Sequence, residues 1–283
     1  MNIQNLSNIA FNELLDCFLK AFENYYVQMP SDKNYYKERW KAAKVNFNFS
    51  YGMFDNGRLL GFIIHAIDKR NGTLTAFNTG TGVLPEHRGK RIVHAIYNHA
   101  INDLKQHGIK KIKLEVITEN TRAIKTYEAI GFKICKNFKC FNGNISLQKT
   151  EKVNLKEIDA HKITWETLPN QEYYSWDNQK DSLRNGDYNY FQVLNDNNEA
   201  ESFFIIKPKS GYLAQLDLLD TKNPYCWTRL FSAIKQISTT IKINNVDERL
   251  TEKTNQLVSM GLENKINQYE MELNLNESNL QSL

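Results

Sequence analysis

Two stretches of this 283-residue sequence set ligand-gripping and proton-carrying residue types at short intervals. The first is Gly82-Val83-Leu84-Pro85-Glu86-His87-Arg88-Gly89-Lys90-Arg91-Ile92-Val93. An apolar strand ends there, Pro85 breaks it, and a basic turn containing Gly89 opens an amphipathic helix. A helix start leaves backbone N–H groups without intrahelical partners and carries the positive end of the helix dipole. That combination cradles a pyrophosphate, with Arg88, Lys90 and Arg91 adding charge around it. The same letters also describe an ordinary basic helix cap. In the second stretch, Asn120 is suited to capping a helix, and Ala123 and Tyr127, four residues apart, share one face of it. A small residue at 123 lets a ligand lie against the helix while the phenol reaches over it. Taken alone, Tyr127 could equally be a core aromatic.

The elements that must position these residues read off in order. Residues 11–22 and 35–44 carry helical apolar spacing. Residues 51–54 and 59–67, joined by Asp55-Asn56-Gly57, predict a hairpin, and 73–83 a further strand. The stripe Ile92, Val93, Ile96, Tyr97, Ala100, Ile101, Leu104 predicts a helix over 88–106, stopped at Gly108. Alternation at Ile112, Leu114 and Val116 predicts a strand, 120–130 a short helix ending at Gly131, and 132–145 two strands. The polar, lysine-rich 148–156 reads as a linker between domains over 1–148 and 153–283. Beyond it the order partly repeats, with hairpin, strand, helix, strand and short helix; Ile130-Gly131-Phe132 aligns with Met260-Gly261-Leu262.

Together the two stretches resemble the GNAT N-acetyltransferase family. Its donor motif, Gln/Arg-x-x-Gly-x-Gly/Ala after a Val-x-Pro strand end, reads here as residues 88–93 after Val83 and Pro85. Its Asn-x-x-Ala-x-x-x-Tyr-x-x-x-Gly-Phe pattern is complete as Asn120, Ala123, Tyr127, Gly131 and Phe132. Arg91 stands where the family has glycine and Val93 where it has Gly or Ala. A negative φ at a helix start would accommodate Arg91, whereas Val93 narrows the slot for a pantetheine arm.

The resemblance, which covers about residues 1–148, implies an α/β (α+β) fold of two tandem GNAT-like domains, each a mixed central sheet flanked by helices. It implies acetyl-CoA as donor substrate, without a metal, held by Val83, Leu84, Arg88, Gly89, Lys90, Arg91, Ile92, Val93, Asn120, Ala123 and Tyr127. The Val83 N–H would face the acetyl carbonyl, Tyr127 would protonate the departing thiolate, and Glu115, through water, is a candidate base. His65 is a second candidate base. The acceptor pocket would involve Glu23, Tyr25, Tyr26 and Trp40. Leu250, Lys253 and Leu257 replace Asn120, Ala123 and Tyr127 in the second half, which reads as a degenerate domain without a donor site. A chain ending near Gln148 is accordingly expected to bind acetyl-CoA but to lose solubility or acceptor turnover.

A net charge of +4, with 41% hydrophobic and 24% charged residues, favours neither nucleic acid nor a membrane surface as partner. Four cysteines without CxxC spacing and a polar N-terminus predict a cytoplasmic protein. The expected activity is transfer of an acetyl group to an amine of a small molecule or peptide. Competing readings are a non-catalytic module that binds CoA or a partner, and aminoacyl transfer from tRNA. Retention of Asn120 and Tyr127 in one half, with loss of both equivalents in the other, favours the enzyme.

Overall fold

Residues 1–276 are described by a computed structural model. They fold as two compact units, Met1–Lys136 with the segment from Tyr269, and Asn137–Gln268. In the first unit, β1 (Asn2–Asn5), α1 (Phe11–Ala21) and α2 (Lys33–Ala43) precede β2 (Tyr51–Asp55), β3 (Arg58–Arg70) and β4 (Thr73–Val83). Then come α3 (Ile92–Gln106), β5 (Lys111–Ile117), α4 (Thr121–Ile130) and the start of β6 (Lys133–Asn144). The second unit takes the remainder of β6, then β7 (Asn154–Ile158), α5 (Lys180–Leu183), β8 (Asn189–Leu194), β9 (Ala200–Lys207) and β10 (Tyr212–Leu218). It continues through α6 (Cys226–Ile237), β11 (Thr240–Asp247) and α7 (Thr251–Ser259) into β12 (Glu263–Asn274).

Local chemistry accounts for the first unit. Asn56 and Gly57 both take positive φ, 47° and 80°, the geometry that a two-residue turn between twisted strands demands. β1 to β4 pair antiparallel in sequence, and β4 pairs parallel with β5 after the α3 crossover. One face of the sheet packs Ile96, Tyr97, Ala100, Ile101 and Leu104 of α3 with Tyr127 and Ile130 of α4. The other packs Leu14, Leu15 and Phe18 of α1 with Tyr36 and Trp40 of α2.

Beside β5 lies the last part of β12. Met271 and Leu273 enter the same core as α3 and α4, and Lys111–Glu272 and Lys113–Glu270 ion pairs, each 2.7 Å, join the two strands. The first unit is therefore discontinuous in sequence, unlike a domain over 1–148. Residues 132–145 form one strand rather than two: β6 runs without a turn, and Phe141 and Ile145 are buried in the second unit's core. The 148–156 stretch is partly structural too, with Val153 buried and β7 beginning at Asn154.

In the second unit β7, β8, β9 and β10 pair antiparallel in order, and β10 is parallel to β11. No helix among the described residues is long and apolar enough to cross a membrane.

Candidate active site

The site begins with a defect in a strand. β3 and β4 pair regularly from Arg70–Thr73 to His65–Asn78, but Ile64 pairs with Gly80, leaving Thr79 as an extra residue on β4. Such a bulge inverts the side-to-side alternation of everything beyond it. Before it, Ala76 lies on the α3 face, and the Asn78 amide reaches Tyr97 of α3 at 2.8 Å. After it, Val83 packs on the α3 face, while Gly80 and Gly82 meet Phe18 and Ala21 of α1. Asn78 and Thr81, three apart and on opposite faces of a regular strand, share a face here. Their side chains are hydrogen-bonded at 2.6 Å.

Pairing between β4 and β5 stops at the same point. Its registered partners run from Thr75–Lys111 to Asn78–Leu114, yet β4 continues to Val83 and β5 to Ile117. The strands part and open a slot. Successive N–H groups along a strand point to opposite edges, and the Leu84 N–H is used toward β3, donating to Leu60 at 2.9 Å. The Val83 N–H is therefore directed to the slot edge.

Tyr127 borders the slot from the α4 side. It is 8% exposed, its ring is perpendicular to that of Tyr97 at 6.3 Å, and burial pushes its phenol up to about 12, so it is a proton carrier at neutral pH. The Thr81 hydroxyl and Asn78 amide act against that burial, and neighbouring Tyr25 acts with it. Glu115 follows Leu114 on β5. Because Leu114 and Val116 face α3 and α4, Glu115 projects from the opposite face. The two candidate proton-transfer groups thus approach the slot from opposite sides of the sheet.

The turn at the slot's end differs in one respect from its expected geometry. Arg91 takes φ 55°, the left-handed region, rather than a negative φ. The helix accordingly starts at Ile92, not Arg88, with Arg91 as its flanking residue and Gly89 also left-handed at φ 81°. A glycine at 91 would adopt this conformation without the Cβ clash that arginine incurs. Arg88 is exposed, yet its guanidinium is engaged, donating to Ala21 O at 2.8 Å and to Val83 O at 3.3 Å. Lys90 and Arg91 are exposed, and Arg122 of α4, not anticipated from the motif, brings a guanidinium nitrogen to 3.8 Å from where a Cβ on Gly89 would stand. Leu84 and Ile92 are buried, and Val93 is partly buried against the α3 core.

Asn120 caps α4 as expected, its Oδ1 accepting from the Ala123 N–H at 3.2 Å. The Tyr25 phenol is raised mainly by burial, with Asn120 acting against it, while Tyr26 donates to Glu119 O at 3.1 Å. The segment after α1 is thereby tied to the head of α4. Glu23 is exposed, whereas Trp40 is 3% exposed, with the rings of Phe11, Phe18, Tyr36 and Phe47 around it, and belongs to the core. His65 is fully enclosed, held by Phe49 O at 2.7 Å and depressed by burial to about 4. It is a packed neutral residue.

The second unit has the same parting of strands, narrowed there to a cavity of about 10 Å³ lined by Leu216, Ile243, Tyr174 and Lys253. β10 and β11 pair only at Tyr212–Lys242. Lys253 of α7, 4% exposed, makes a 2.7 Å ion pair with buried Asp217, and both meet the Tyr174 hydroxyl. Burial pulls Lys253 down, against the attraction of Asp217. Leu250 caps α7 without a side-chain hydrogen bond, and Leu257 is wholly buried. Among the described residues no group of three His, Cys, Asp or Glu side chains is poised to hold a metal.

A divided central sheet, a bulged strand beside the gap and a basic turn into a helix thus surround the slot in the first unit. Residues 10–132 match the model of the acetyltransferase (GNAT) family. An uncharacterised N-acetyltransferase of Methanocaldococcus jannaschii is 30% identical over 144 residues, 46% of this chain and 60% of that protein. N-alpha-acetyltransferase 30 of Schizosaccharomyces pombe is 31% identical over 85 residues, 30% of this chain and 57% of that protein. The chain thus spans under two thirds of the length of both relatives. A tandem GNAT protein from the clavulanic acid biosynthesis pathway shares the fold over 98% of this chain and 99% of its own, at 12% identity and a TM-score of 0.67.

Proposed function

We propose that the first unit is an N-acetyltransferase that moves the acetyl group of acetyl-CoA to an amine of a small molecule or peptide. The observation that carries this reading is the slot between β4 and β5: the Val83 N–H is directed to its edge, and Tyr127 and Glu115 flank it from opposite faces. The donor lies on the α3–α4 face with its pyrophosphate at the Gly89–Val93 turn, where Lys90, Arg91 and Arg122 supply charge and Arg88 braces the turn from behind. The amine enters from the other face, past Glu23, Tyr25 and Tyr26. Its nitrogen attacks the carbonyl carbon while the Val83 N–H steadies the developing oxyanion. Glu115 takes the amine proton through water, the C–S bond breaks, and Tyr127 protonates the thiolate.

The relatives support the reaction class: one is named as an N-acetyltransferase and the other as an N-alpha-acetyltransferase. In the second unit only a cavity of about 10 Å³ remains beside the buried Lys253–Asp217 pair, which supports reading it as a unit that takes no donor and serves the first structurally. Calorimetric titration with acetyl-CoA, followed by thiol release across a panel of amines and N-terminal peptides, tests this. One donor per chain and turnover with at least one amine are expected. Binding without turnover of any amine would favour the non-catalytic alternative, and two equivalent donor sites would refute the assignment to one unit.

A further inference from the structure

The direction of the Val83 N–H depends on the bulge at Thr79. Before the bulge, Asn46 N–H donates to His65 O at 2.9 Å and Ile67 N–H to Lys44 O at 3.1 Å, so His65 and Ile67 turn their peptide groups away from β4. Their partners Asn78 and Ala76 therefore turn theirs toward β5, and the intervening Phe77 turns toward β3. Continued without an extra residue, that alternation would send the Val83 N–H to β3 and the Leu84 N–H to the slot. The donation from Leu84 to Leu60 is the reverse of this, and Thr79 is the residue that reverses it.

The strand itself does little to fix where the extra residue sits. Thr79-Gly80-Thr81-Gly82 carries no large apolar side chain, and its glycines have to stay small: a Cβ on Gly80 would come within 2.9 Å of Phe18, and one on Gly82 within 2.8 Å of Ala21. Register is weakly specified in such a strand. None of residues 78–82 has a positive φ, so no left-handed residue marks the position either. Hydrogen bonds from Asn78, which is 5% exposed, do mark it. Its Oδ1 accepts from the Gly80 N–H at 3.0 Å, and its Nδ2 donates to Thr81 Oγ1 at 2.6 Å and to the Tyr97 hydroxyl of α3 at 2.8 Å. The backbone donor identifies the oxygen end of the amide, so all three arms are engaged. Across the strand pair, the Thr79 hydroxyl donates to Ile64 O at 3.2 Å.

We propose that Asn78 is a positioning residue that pins the β4 bulge at Thr79 and thereby keeps the Val83 N–H on the slot edge. This rests on the reading of that N–H as the donor to the developing oxyanion. Moving the bulge along the strand would break the arms to Gly80 and Thr81, while the arm to Tyr97 holds the bracket to α3. Asn78 acts through the backbone that follows it.

The test uses the full chain as wild type, Asn78→Leu and Asn78→Asp, with acetyl-CoA carrying 13C at the acetyl carbonyl. A hydrogen bond to the carbonyl oxygen moves that signal downfield of its position in free acetyl-CoA. Wild type should show the downfield movement on binding, and Asn78→Leu should lose most of it with donor affinity near wild type. Its kcat should fall about ten- to a hundredfold, part of the roughly 10²–10³ that a lost oxyanion donor costs. Asn78→Asp should keep most of the movement, because the Thr81 and Tyr97 hydroxyls can turn to donate to the carboxylate while Gly80 keeps its acceptor. Loss in Asn78→Asp as complete as in Asn78→Leu would overturn the hydrogen-bonded bracket. A carbonyl signal unmoved by Asn78→Leu, whatever its melting temperature, would overturn the proposal and leave the Val83 reading intact. No downfield movement in wild type would overturn that reading and the proposal with it. If Asn78→Leu does not melt cooperatively, Tyr97→Phe, which removes one arm and keeps the ring, takes its place. A partial return of the signal toward its free position is then expected, and no return would overturn the proposal.

Discussion

Arg88 Nη2 donates to the Ala21 carbonyl at 2.8 Å, joining the turn before α3 to the last residue of α1. The first position of the donor motif therefore braces the cradle from behind, and its charge lies against the carbonyl end of a helix, where a cation is favoured. Arg88→Ala should lower stability by about 1–2 kcal/mol, the usual scale of a charge-assisted hydrogen bond, and weaken donor binding only through a loosened turn. Arg88→Lys should not restore it, because one ammonium lacks the planar fork that spans Ala21 O and Val83 O. Thermal melts beside donor titrations measure both effects. A large loss of affinity with unchanged stability would assign Arg88 to the pyrophosphate directly.

Tyr127→Phe keeps the ring contacts with Tyr97 and Phe132 and removes the proton. The expected result is a kcat lower by about 10²–10⁴-fold with donor affinity near wild type. Steady-state kinetics beside a melt decide it, and a kcat within a few-fold of wild type would return Tyr127 to the core.

His65 gives the fold a predictable acid sensitivity. Its pKa is about 4 in the native protein and about 6.5 in an unfolded chain, so between those values the unfolded state binds more protons. The stabilisation from burying neutral imidazole is full above about pH 6.5 and is lost as pH falls toward 4. Urea midpoints measured from pH 7 to 4 should fall more steeply for wild type than for His65→Gln. Parallel curves would show that protonation of His65 is not what destabilises the native state.

The Lys253–Asp217 pair predicts a different response. Lys253→Met removes the cation and leaves Asp217 buried and charged, which should destabilise the second unit by roughly 3–5 kcal/mol. The paired change Lys253→Met with Asp217→Leu should recover much of the loss. Denaturant titration of the three proteins tests this, and an equal loss in single and double variants would indicate a packing defect rather than a stranded charge.

For a chain cut at Gln148, the structure reverses the expectation from sequence that donor binding survives. The cut removes Met271 and Leu273 from the first unit's core and Glu270 and Glu272 from Lys113 and Lys111. The truncated protein should fail to fold cooperatively. A cooperative melt with wild-type acetyl-CoA affinity would refute this.

Much of the first unit was legible because its elements are written in local signals: the Asp55-Asn56-Gly57 turn, the α3 stripe, Asn120 and Gly131 bracketing α4. Three features were not. The Thr79 bulge depends on the register between β3 and β4, which single-strand alternation does not encode. The left-handed φ of Arg91 was missed because arginine lacks the glycine that announces such a conformation. Tyr26 reaches Glu119 across 93 residues, and the neighbour of β5 comes from beyond residue 268. Pairings at that separation leave no periodic trace.

The discontinuity of the first unit has a consequence for how the protein is made. A ribosome emits Met1–Lys136 early, with the donor turn, Tyr127 and Glu115 already translated, yet the strand that flanks β5 follows only after the whole of Asn137–Gln268. During that interval the nascent chain exposes the open edge of β5 and the apolar residues that Met271 and Leu273 will cover, the kind of surface that invites chaperones or mispairing. The unit that carries the proposed site is thus begun first and finished last, and slowing elongation within the second unit should lower the yield of folded protein without altering a single residue.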